Sequence, residues 1–343
     1  MAGYGRSYSS YRGRTPKWKI ILSVFLALVI VVSVGYLALE RYIVYDETGT
    51  PHFLLPGVSE QQEPLPEKPH ANLVVETPPE EEKKDPVQLY FAPSPVVTAE
   101  DAAAVLAAGR SYEGVALTVK APTGRVYFSS PTAISSGMER GTAEALATVL
   151  AGAERTAAHL ICFSDPKAAN SDVEGLGLKN TGGYIFYDGN NRQWTDPAKE
   201  AARAYLVQLA VECAELGFDE LILSDVGYPT VGKLHKIEYG ERPQNENLER
   251  FLKELTDALK DYDIILTLEL TADGILLGTE PGGLALETAA KYADRICAVT
   301  DETQVENLAT IVGRYGEEIE FAPVFEQLPF GFADSAIVRP AAE

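Results

Sequence analysis

Apolar strand-like runs alternate with amphipathic helical segments from about Val87 to Phe325. The strand-like runs are almost continuously apolar, as in GVALTVK (114–120) and DIILTLEL (263–270), which is typical of strands covered by helices on both faces. In the best helical segment, DPAKEAARAYLVQLAVECAELG (196–217), apolar residues recur every three or four positions. This alternation predicts a parallel α/β fold.

The run of seven or eight predicted strands favours a closed barrel over a doubly wound sheet. Because no glycine-rich phosphate loop follows the first strand, we expect a closed (β/α) barrel of the TIM type rather than a doubly wound sheet. The barrel is assigned to residues 87–335 and a C-terminal tail to 336–343. The last clear strand is EIEFAPVF (318–325), so a barrel truncated at its last strand stays open as an alternative.

A single uncharged segment lies near the N-terminus. IILSVFLALVIVVSVGYLAL (20–39) has twenty apolar or small residues, enough to span a hydrocarbon core of about 30 Å as a helix. Residues 1–19 carry five basic residues and no acid, which favours a cytoplasmic N-terminus and an extracytoplasmic barrel. The alternative is a cleavable signal peptide, but its apolar region is usually shorter and precedes a small-x-small site. We therefore expect an uncleaved, single-pass anchor in the cell membrane.

Residues 40–86 are expected to connect the anchor to the barrel. From 60 to 86 proline and acidic residues dominate, and this composition is typical of a semi-extended, self-repelling linker. The segment 41–58 fits either a short strand and turn or a juxtamembrane linker.

Charge and the counts of cysteine and histidine exclude several classes of function. The chain has 50 acidic and 29 basic residues and a net charge of −21, which disfavours nucleic acid and suits neutral or cationic partners. Three cysteines without short spacing favour buried free thiols over a disulfide framework. No two of the four histidines have metal-ligand spacing, so neither a metal nor a cofactor is expected.

Charged residues follow the predicted strands at the end where a barrel of this type carries its active groups. They are Lys120, Asp165, Asp188, Asp225, Glu269, Asp301 and Glu326, and Trp194 and Tyr228 lie near them in the sequence. Carboxylates that bond hydroxyls and aromatic faces that stack on sugar rings would suit a polysaccharide, and two carboxyls are the minimum for glycoside cleavage. The alternative is that each acid caps the helix after its strand, as the Asp165-Pro166 pair suggests.

Two stretches, HLICFSDPKAAN (159–170) and the segment from GLGLKNTGGYIFYD to ELILSDVGYP (175–229), resemble the bacterial family known as the putative glycosyl hydrolase domain. The shared motifs are Asp165-Pro166 after Phe163, Trp194-x-Asp-Pro, and Gly217-Phe-Asp-Glu. The first strand similarly retains Lys120 and Gly124. The resemblance covers residues 95–326 and implies a barrel related to the α-amylase-type glycosidases.

The chain departs from the family pattern at several polar positions. Thr118, Ala121 and His159 stand where the family has charged residues, and CAVTDET (297–303) replaces a Tyr-Pro-Ser-His type motif. A tryptophan-rich closing strand is missing unless DSAIVRP (334–340) is its remnant. Ser224 takes the place of the family's aspartate, and Asp225 follows one residue later, with Gly227 in place of an arginine. A shift by one residue turns a side chain to the other face of a strand, although alternation often fails at a strand tip.

Two functions remain open from the sequence. In the first, a membrane-anchored glycoside hydrolase acts on cell-envelope or extracellular polysaccharide, with Asp225 as nucleophile or base, Glu269 or Asp301 as acid, and the other strand-end residues in substrate binding. Trp194 and Tyr228 would supply stacking surfaces. In the second, a catalytically inactive barrel binds glycan or serves as a structural envelope protein, which the loss of several polar positions favours.

Overall fold

The computed structural model describes residues 86–316 and 318–341 in full, and the backbone of Ile43–Tyr45 and Pro51–Phe53. Those two short strands pair antiparallel and belong to a separate unit, residues 1–81. The predicted cytoplasmic tail (1–19), membrane span (20–39) and most of the connecting segment lie outside the described residues. Within the described ranges, no helix has the length and apolar character needed to cross a bilayer.

Eight parallel strands form a closed TIM barrel. In chain order they are β1 (Gln88–Phe91), β2 (Gly114–Lys120), β3 (Thr156–Ile161), β4 (Glu220–Ser224), β5 (Ile265–Glu269), β6 (Arg295–Val299), β7 (Glu320–Phe325) and β8 (Ala336–Val338). Each strand pairs with its sequence neighbours, and β8 pairs with both β7 and β1.

Helices cover the outside of the barrel. Those in the described part of the chain are α1 (Ala99–Gly109), α2 (Thr142–Gly152), α3 (Pro166–Ser171), α4 (Glu200–Glu215), α5 (Gln244–Leu259), α6 (Ala272–Leu277), α7 (Leu286–Tyr292) and α8 (Val305–Gly313). The predicted N-cap of α1 is present, since Thr98 Oγ1 accepts from the Asp101 backbone N–H at 3.2 Å. Helix α4 begins four residues later than its sequence pattern, because 196–199 form a turn.

The barrel is complete, which corrects both the truncated alternative and the assignment of 336–343 to a tail. Residues Ala336–Val338 lie between β7 and β1 as the closing strand. DSAIVRP is therefore the last strand of this barrel. Three residues are too few to show a period, and in the described structure no helix separates β7 from β8.

The lumen is filled below its upper rim. Small and apolar residues form its middle, namely Leu89, Phe91, Ala116, Ala157, Ile222, Cys297, Ala322, Val324 and Ile337. At the N-terminal ends of the strands, the Arg295 Nη1 atom donates to the fully buried Glu220 at 2.7 Å and its Nε donates to Glu320 at 2.8 Å. Because this end is closed by a satisfied ion network, the chemistry open to a ligand is confined to the C-terminal ends.

The three cysteines are free and buried, as the sequence predicts. Cys162 and Cys213 lie in the outer apolar core and Cys297 in the lumen. Burial raises the pKa of the Cys162 thiol to about 12, so at neutral pH this side chain is an unreactive apolar group.

Candidate active site

A cavity of about 400 Å³ opens at the C-terminal ends of β4 and β5. Its wall includes three carboxyl groups, Asp225, Glu269 and Glu280, together with Trp194 and Tyr228. Concave sites with a few convergent polar groups on an otherwise apolar wall are the usual form of ligand pockets. Of the residues selected from the sequence, this cavity brings together Asp225, Glu269, Trp194 and Tyr228.

The backbone conformation at the C-terminal end of β4 determines the direction of the Asp225 side chain. Ser224 is the last strand residue and faces the lumen, where its hydroxyl lies 2.7 Å from His159 Nε2 and donates to Glu269 Oε2. Asp225 follows with a left-handed backbone (φ 52°) and is exposed at the cavity. The register shift therefore holds: Ser224, and not Asp225, occupies the inward position. Asp225 reaches the ligand space from the strand tip.

The surroundings of Asp225 raise the pKa of its carboxyl group. Desolvation by the surrounding wall raises the pKa of its carboxyl, while the positive charge of Arg192 opposes that rise and the charge of Glu269 adds to it. The side chain is open to solvent from the cavity and enclosed by protein on its other sides. The pKa of Asp225 is therefore raised, but less than it would be for a carboxyl enclosed on every side.

Glu269 is held in its ionised form. Arg339 donates to it from both terminal nitrogens, at 2.6 Å to Oε1 and 2.9 Å to Oε2, and the Arg339 guanidinium stacks on Phe91 with its carbon 4.3 Å from the ring centre. Burial acts to raise the pKa of Glu269, but hydrogen bonds and charge from His159 and Arg339 hold it well below the ordinary value of 4.5. A carboxylate held in this state does not donate a proton at neutral pH. The acid role expected for Glu269 therefore does not fit its surroundings.

Three of the positions that depart from the family pattern, Thr118, His159 and Ser224, lie in one connected network. Thr118 Oγ1 lies 3.4 Å from His159 Nδ1, and His159 Nε2 lies against the Ser224 hydroxyl that donates to Glu269. With Arg339 the network joins β2, β3, β4, β5 and the residue after β8. Its hydrogen bonds lie inside the lumen, where Arg339 Nε is a buried atom without a partner among the described residues, and at each of these three positions a polar side chain stands in a polar arrangement.

Glu280 is the pocket carboxyl that the sequence did not single out. It lies between α6 and α7, and its carboxylate accepts from the Thr271 backbone N–H at 2.8 Å. Desolvation raises the pKa of Glu280 against the hydrogen bonds from Thr271. The turn is drawn to the cavity because the Tyr228 N–H donates to the Gly282 carbonyl at 2.9 Å. The order of strands along the sequence does not indicate Glu280, because its place depends on contacts with Thr271 and between the Tyr228 and Gly282 backbones.

Close backbone packing explains the glycine at position 227. A Cβ on Gly227 would lie 3.2 Å from the Gly282 carbonyl oxygen, tighter than ordinary contact distance. The arginine expected from the resemblance would push the Glu280 turn away from β4.

Lys120 and Asp165 are structural rather than substrate-binding. Both side chains are fully buried and form an ion pair of 3.0 Å, and the Lys120 ammonium also donates to the Ile161 and Cys162 carbonyls. Asp165 caps α3 by accepting from the Ala168 N–H at 2.8 Å, so the capping alternative holds for this acid.

Asp188 positions an aromatic side chain. It is buried, accepts from the Arg192 backbone N–H at 2.8 Å and accepts from the Trp194 indole N–H at 3.0 Å. Trp194 thus presents a fixed edge to the cavity. Tyr228 is only 1% exposed, with its hydroxyl accepting from Asn247, so it is a wall residue and not the stacking surface expected from the sequence.

Asp301 and Glu326 lie outside the cavity. Asp301 is exposed, and its carboxylate accepts from the backbone and hydroxyl of Thr303, which lowers its pKa. Glu326 is exposed just after β7. The catalytic role expected for Asp301 and the binding role expected for Glu326 therefore do not fit their places in the barrel. In the described residues no cluster of three His, Cys, Asp or Glu side chains could hold a metal ion.

A comparison with models of protein families shows to which family this chain belongs. Residues 100–300 match the family described as "Putative glycosyl hydrolase domain". The chain belongs to this family. The match runs from α1 to just after β6 and includes Asp225, Glu269 and Glu280.

Solved structures include similar folds from bacteria. A hypothetical protein from Ruminiclostridium thermocellum is 23% identical, with 52% of this chain and 96% of that one covered and a TM-score of 0.43. The PgaB (BpsB) glycoside hydrolase domain from Bordetella bronchiseptica is 15% identical, with 73% and 92% covered and a TM-score of 0.49. The glycoside hydrolase domain of PelA from Pseudomonas aeruginosa is 14% identical, with 70% and 83% covered and a TM-score of 0.40. A search of curated proteins found no match.

The motifs that carry the resemblance to the glycosyl hydrolase domain family hold the barrel together. Asp196 of the Trp-x-Asp-Pro motif accepts from the Ala198 N–H at 2.9 Å before α4. Asp219 of Gly-Phe-Asp-Glu accepts from the Thr156 N–H at 2.7 Å and so ties the start of β3 to β4. The carboxylates of these two motifs therefore accept backbone hydrogen bonds within the barrel scaffold, whereas Asp225, Glu269 and Glu280 of the pocket lie outside the motifs.

Proposed function

We propose that this barrel is a glycoside hydrolase that cleaves a polysaccharide chain bound in the pocket at the C-terminal ends of β4 and β5. The observation that supports it most is the presence of Asp225 and Glu280 in one cavity, each with a pKa raised by desolvation. Glycoside cleavage uses one carboxyl that stays protonated near the working pH and a second that acts as base or nucleophile.

The surroundings of the two carboxyls favour one assignment of roles. At Asp225 the charge of Arg192 offsets part of the desolvation, whereas at Glu280 only hydrogen bonds from Thr271 do so within the described structure. Glu280 is therefore the proton donor and Asp225 the base or nucleophile. Glu269 supplies a fixed negative charge, which favours a transition state with positive charge on the sugar ring.

The place of action proposed is the outer side of the cytoplasmic membrane. The uncharged segment 20–39 and the basic residues before it support a single-pass anchor with a cytoplasmic N-terminus. The acidic, proline-rich linker would then hold the barrel at a distance from the bilayer. Polysaccharides of the cell envelope are the ligands within reach of such an arrangement.

A second candidate function is glycan binding without cleavage. It is favoured by the state of Glu269, since both carboxylate oxygens are engaged by Arg339 and Ser224. A carboxylate engaged at both oxygens serves neither as nucleophile nor as proton donor, which leaves two of the three pocket carboxyls for catalysis. In this case the pocket would hold a glycan through Asp225 and Trp194 and release it unchanged.

The test uses the full-length protein in a polyoxyethylene detergent, which carries no sugar that could enter the pocket. The protein is incubated with peptidoglycan, α-glucans and β-glycans, and new reducing ends and bound protein are measured separately, with heat-denatured protein as control. We expect release of reducing ends from at least one polymer. Binding without release would favour the second candidate, and neither binding nor release would contradict both.

A further inference from the structure

A second cavity lies beside the candidate active site and differs from it in charge. It has a volume of about 460 Å³ and is formed by the segments that follow β2 and β3 and the segment before α4. Its polar lining consists of Thr123, Lys167, Asn170, Arg192 and Gln193, and two prolines complete the wall. No carboxyl group of the described structure lines it.

Both cations of this cavity are available to a ligand. The side chains of Lys167 and Arg192 are exposed, and among the described residues neither has a carboxylate within 4 Å. The acids nearest in the chain are engaged elsewhere: Asp165 pairs with Lys120, and Asp188 accepts from backbone N–H groups and Trp194. The cavity is therefore locally positive on a chain with a net charge of −21.

The two cavities share one stretch of chain. Arg192 and Gln193 line the cationic cavity, and the next residue, Trp194, lines the pocket of Asp225. Although desolvation is the main influence on the Asp225 pKa, the charge of Arg192 is the second, so its field reaches the carboxyl. One extended ligand could thus occupy both cavities.

We infer that the cavity of Lys167 and Arg192 is a subsite for an anionic substituent, a carboxylate or a phosphate, on the glycan bound next to Asp225. This inference rests on the proposed function and specifies its substrate class as an acidic polysaccharide. Two cations with neutral amide donors beside them match the oxygens of such a group. The overall negative charge does not prevent this binding, because at physiological salt distant charges are screened beyond about 8 Å.

The experiment compares polymers that share a backbone and differ only in charge. Full-length protein in a non-ionic, sugar-free detergent is titrated at about 0.15 M salt, where screening leaves local contacts dominant. The carboxylate pair is polygalacturonate and its fully methyl-esterified form, and the phosphate pair is phosphomannan and unphosphorylated mannan. The variants are Lys167→Gln with Arg192→Gln, and a control with the same change of charge, Arg110→Gln with Lys260→Gln, at exposed positions just after α1 and α5.

We expect the parent to bind the anionic member of at least one pair about tenfold more tightly, as two exposed charge contacts allow. The cavity variant should lose this preference and still bind the neutral member, while the control keeps the preference. The polymer pair for which the parent shows this preference identifies the anion as a carboxylate or a phosphate. Equal binding to both members of each pair, or a preference that survives in the cavity variant, would overturn the inference and leave the proposed function standing. Absence of binding to every one of these polymers would also overturn the inference, while the proposed function is judged by its own test with peptidoglycan, α-glucans and β-glycans.

Discussion

At the scale of single residues, the backbone of Asp225 is unusual. A non-glycine residue with positive φ is uncommon, and only Asn and Asp adopt it readily. Asp225 does so at φ 52°, and in the described structure Asn191 is the other non-glycine example. Backbone conformations of this kind cluster at functional sites, where surrounding structure maintains them. Asparagine is therefore the substitution that removes the charge of Asp225 and keeps its conformation.

The role of Glu280 as proton donor gives a test at the same scale. Glu280→Gln should lower kcat on a polysaccharide about 10² to 10⁴-fold, the usual contribution of a general acid. It should have little effect on an aryl glycoside with a good leaving group, which needs no protonation. Because the Glu280 pKa is raised, the parent's activity should fall as pH rises through that pKa, and the variant should lack this alkaline fall. Equal losses on both substrates would show that Glu280 is not the acid.

At the scale of elements, the polar network in the upper lumen links four of the strands and Arg339, the residue after β8. Arg339 and Glu269 form its only bidentate pair among the described residues, and each is largely shielded from solvent. Removal of one partner from a buried pair leaves the other charge unpaired, which costs more than the pair itself contributes.

We expect Arg339→Gln to reduce the free energy of unfolding at pH 7 by about 3 kcal/mol. The sign of the pH dependence follows from Glu269, whose folded pKa lies below its ordinary value of 4.5. The contribution of the ionised carboxylate is fully present above pH 4.5 and declines as pH falls from there towards the folded pKa, so the difference between the parent and the variant should shrink steadily below pH 4.5. Urea unfolding at several pH values measures this. The exposed pair of Lys253 and Asp257 provides the control, since Lys253→Gln should change little. A difference that does not shrink as pH falls below 4.5 would contradict the ion-pair explanation.

The loop after β2 depends on a glycine for both its conformation and its packing. Gly124 has φ +80°, and a Cβ there would lie 2.1 Å from Asp165 Oδ1, next to the buried pair with Lys120. Gly183 has the same φ with no atom within 4 Å of the added Cβ. Gly183→Ala should therefore cost about 1 kcal/mol for the backbone alone, and Gly124→Ala clearly more. Thermal unfolding of the two variants compares them, and equal losses would show that the contact with Asp165 contributes nothing.

Most of the strands and helices could be predicted from the sequence, but only part of the candidate site could, and the difference has physical reasons. Continuously apolar strands and a period of 3.6 are local signals, so β2 to β7 could be predicted. Strand β8 could not be predicted, because three residues are too few to show a period. Arg339, the residue after β8, could therefore not be assigned to the site. Glu280 enters the pocket through a contact between distant backbone segments. Asp165 and Asp301 follow strands as active-site acids do, yet one is a buried cap and the other an exposed turn residue.

At the scale of the whole molecule, the expected arrangement is an anchor, an acidic linker and an outward-facing barrel. Reporter fusions test the topology: alkaline phosphatase fused after residue 86 should be active, and a cytoplasmic reporter at the N-terminus should also be active. Replacing the five basic residues of 1–19 by glutamine should weaken this orientation, because the positive-inside bias is then removed. An active cytoplasmic reporter after residue 86 would contradict the proposed place of action.

The proposed glycoside hydrolysis depends most on the carboxyl group of Asp225. The most direct measurement is the rate of reducing-end release by the parent, Asp225→Asn and Asp301→Asn, on whichever polysaccharide the parent cleaves. Asparagine keeps the left-handed backbone at position 225, and Asp301 provides an exposed strand-end acid outside the pocket as the control. We predict a loss of at least about 10²-fold for Asp225→Asn and no more than a small change for Asp301→Asn. An unchanged rate in Asp225→Asn, or the same loss in both variants, would contradict the account.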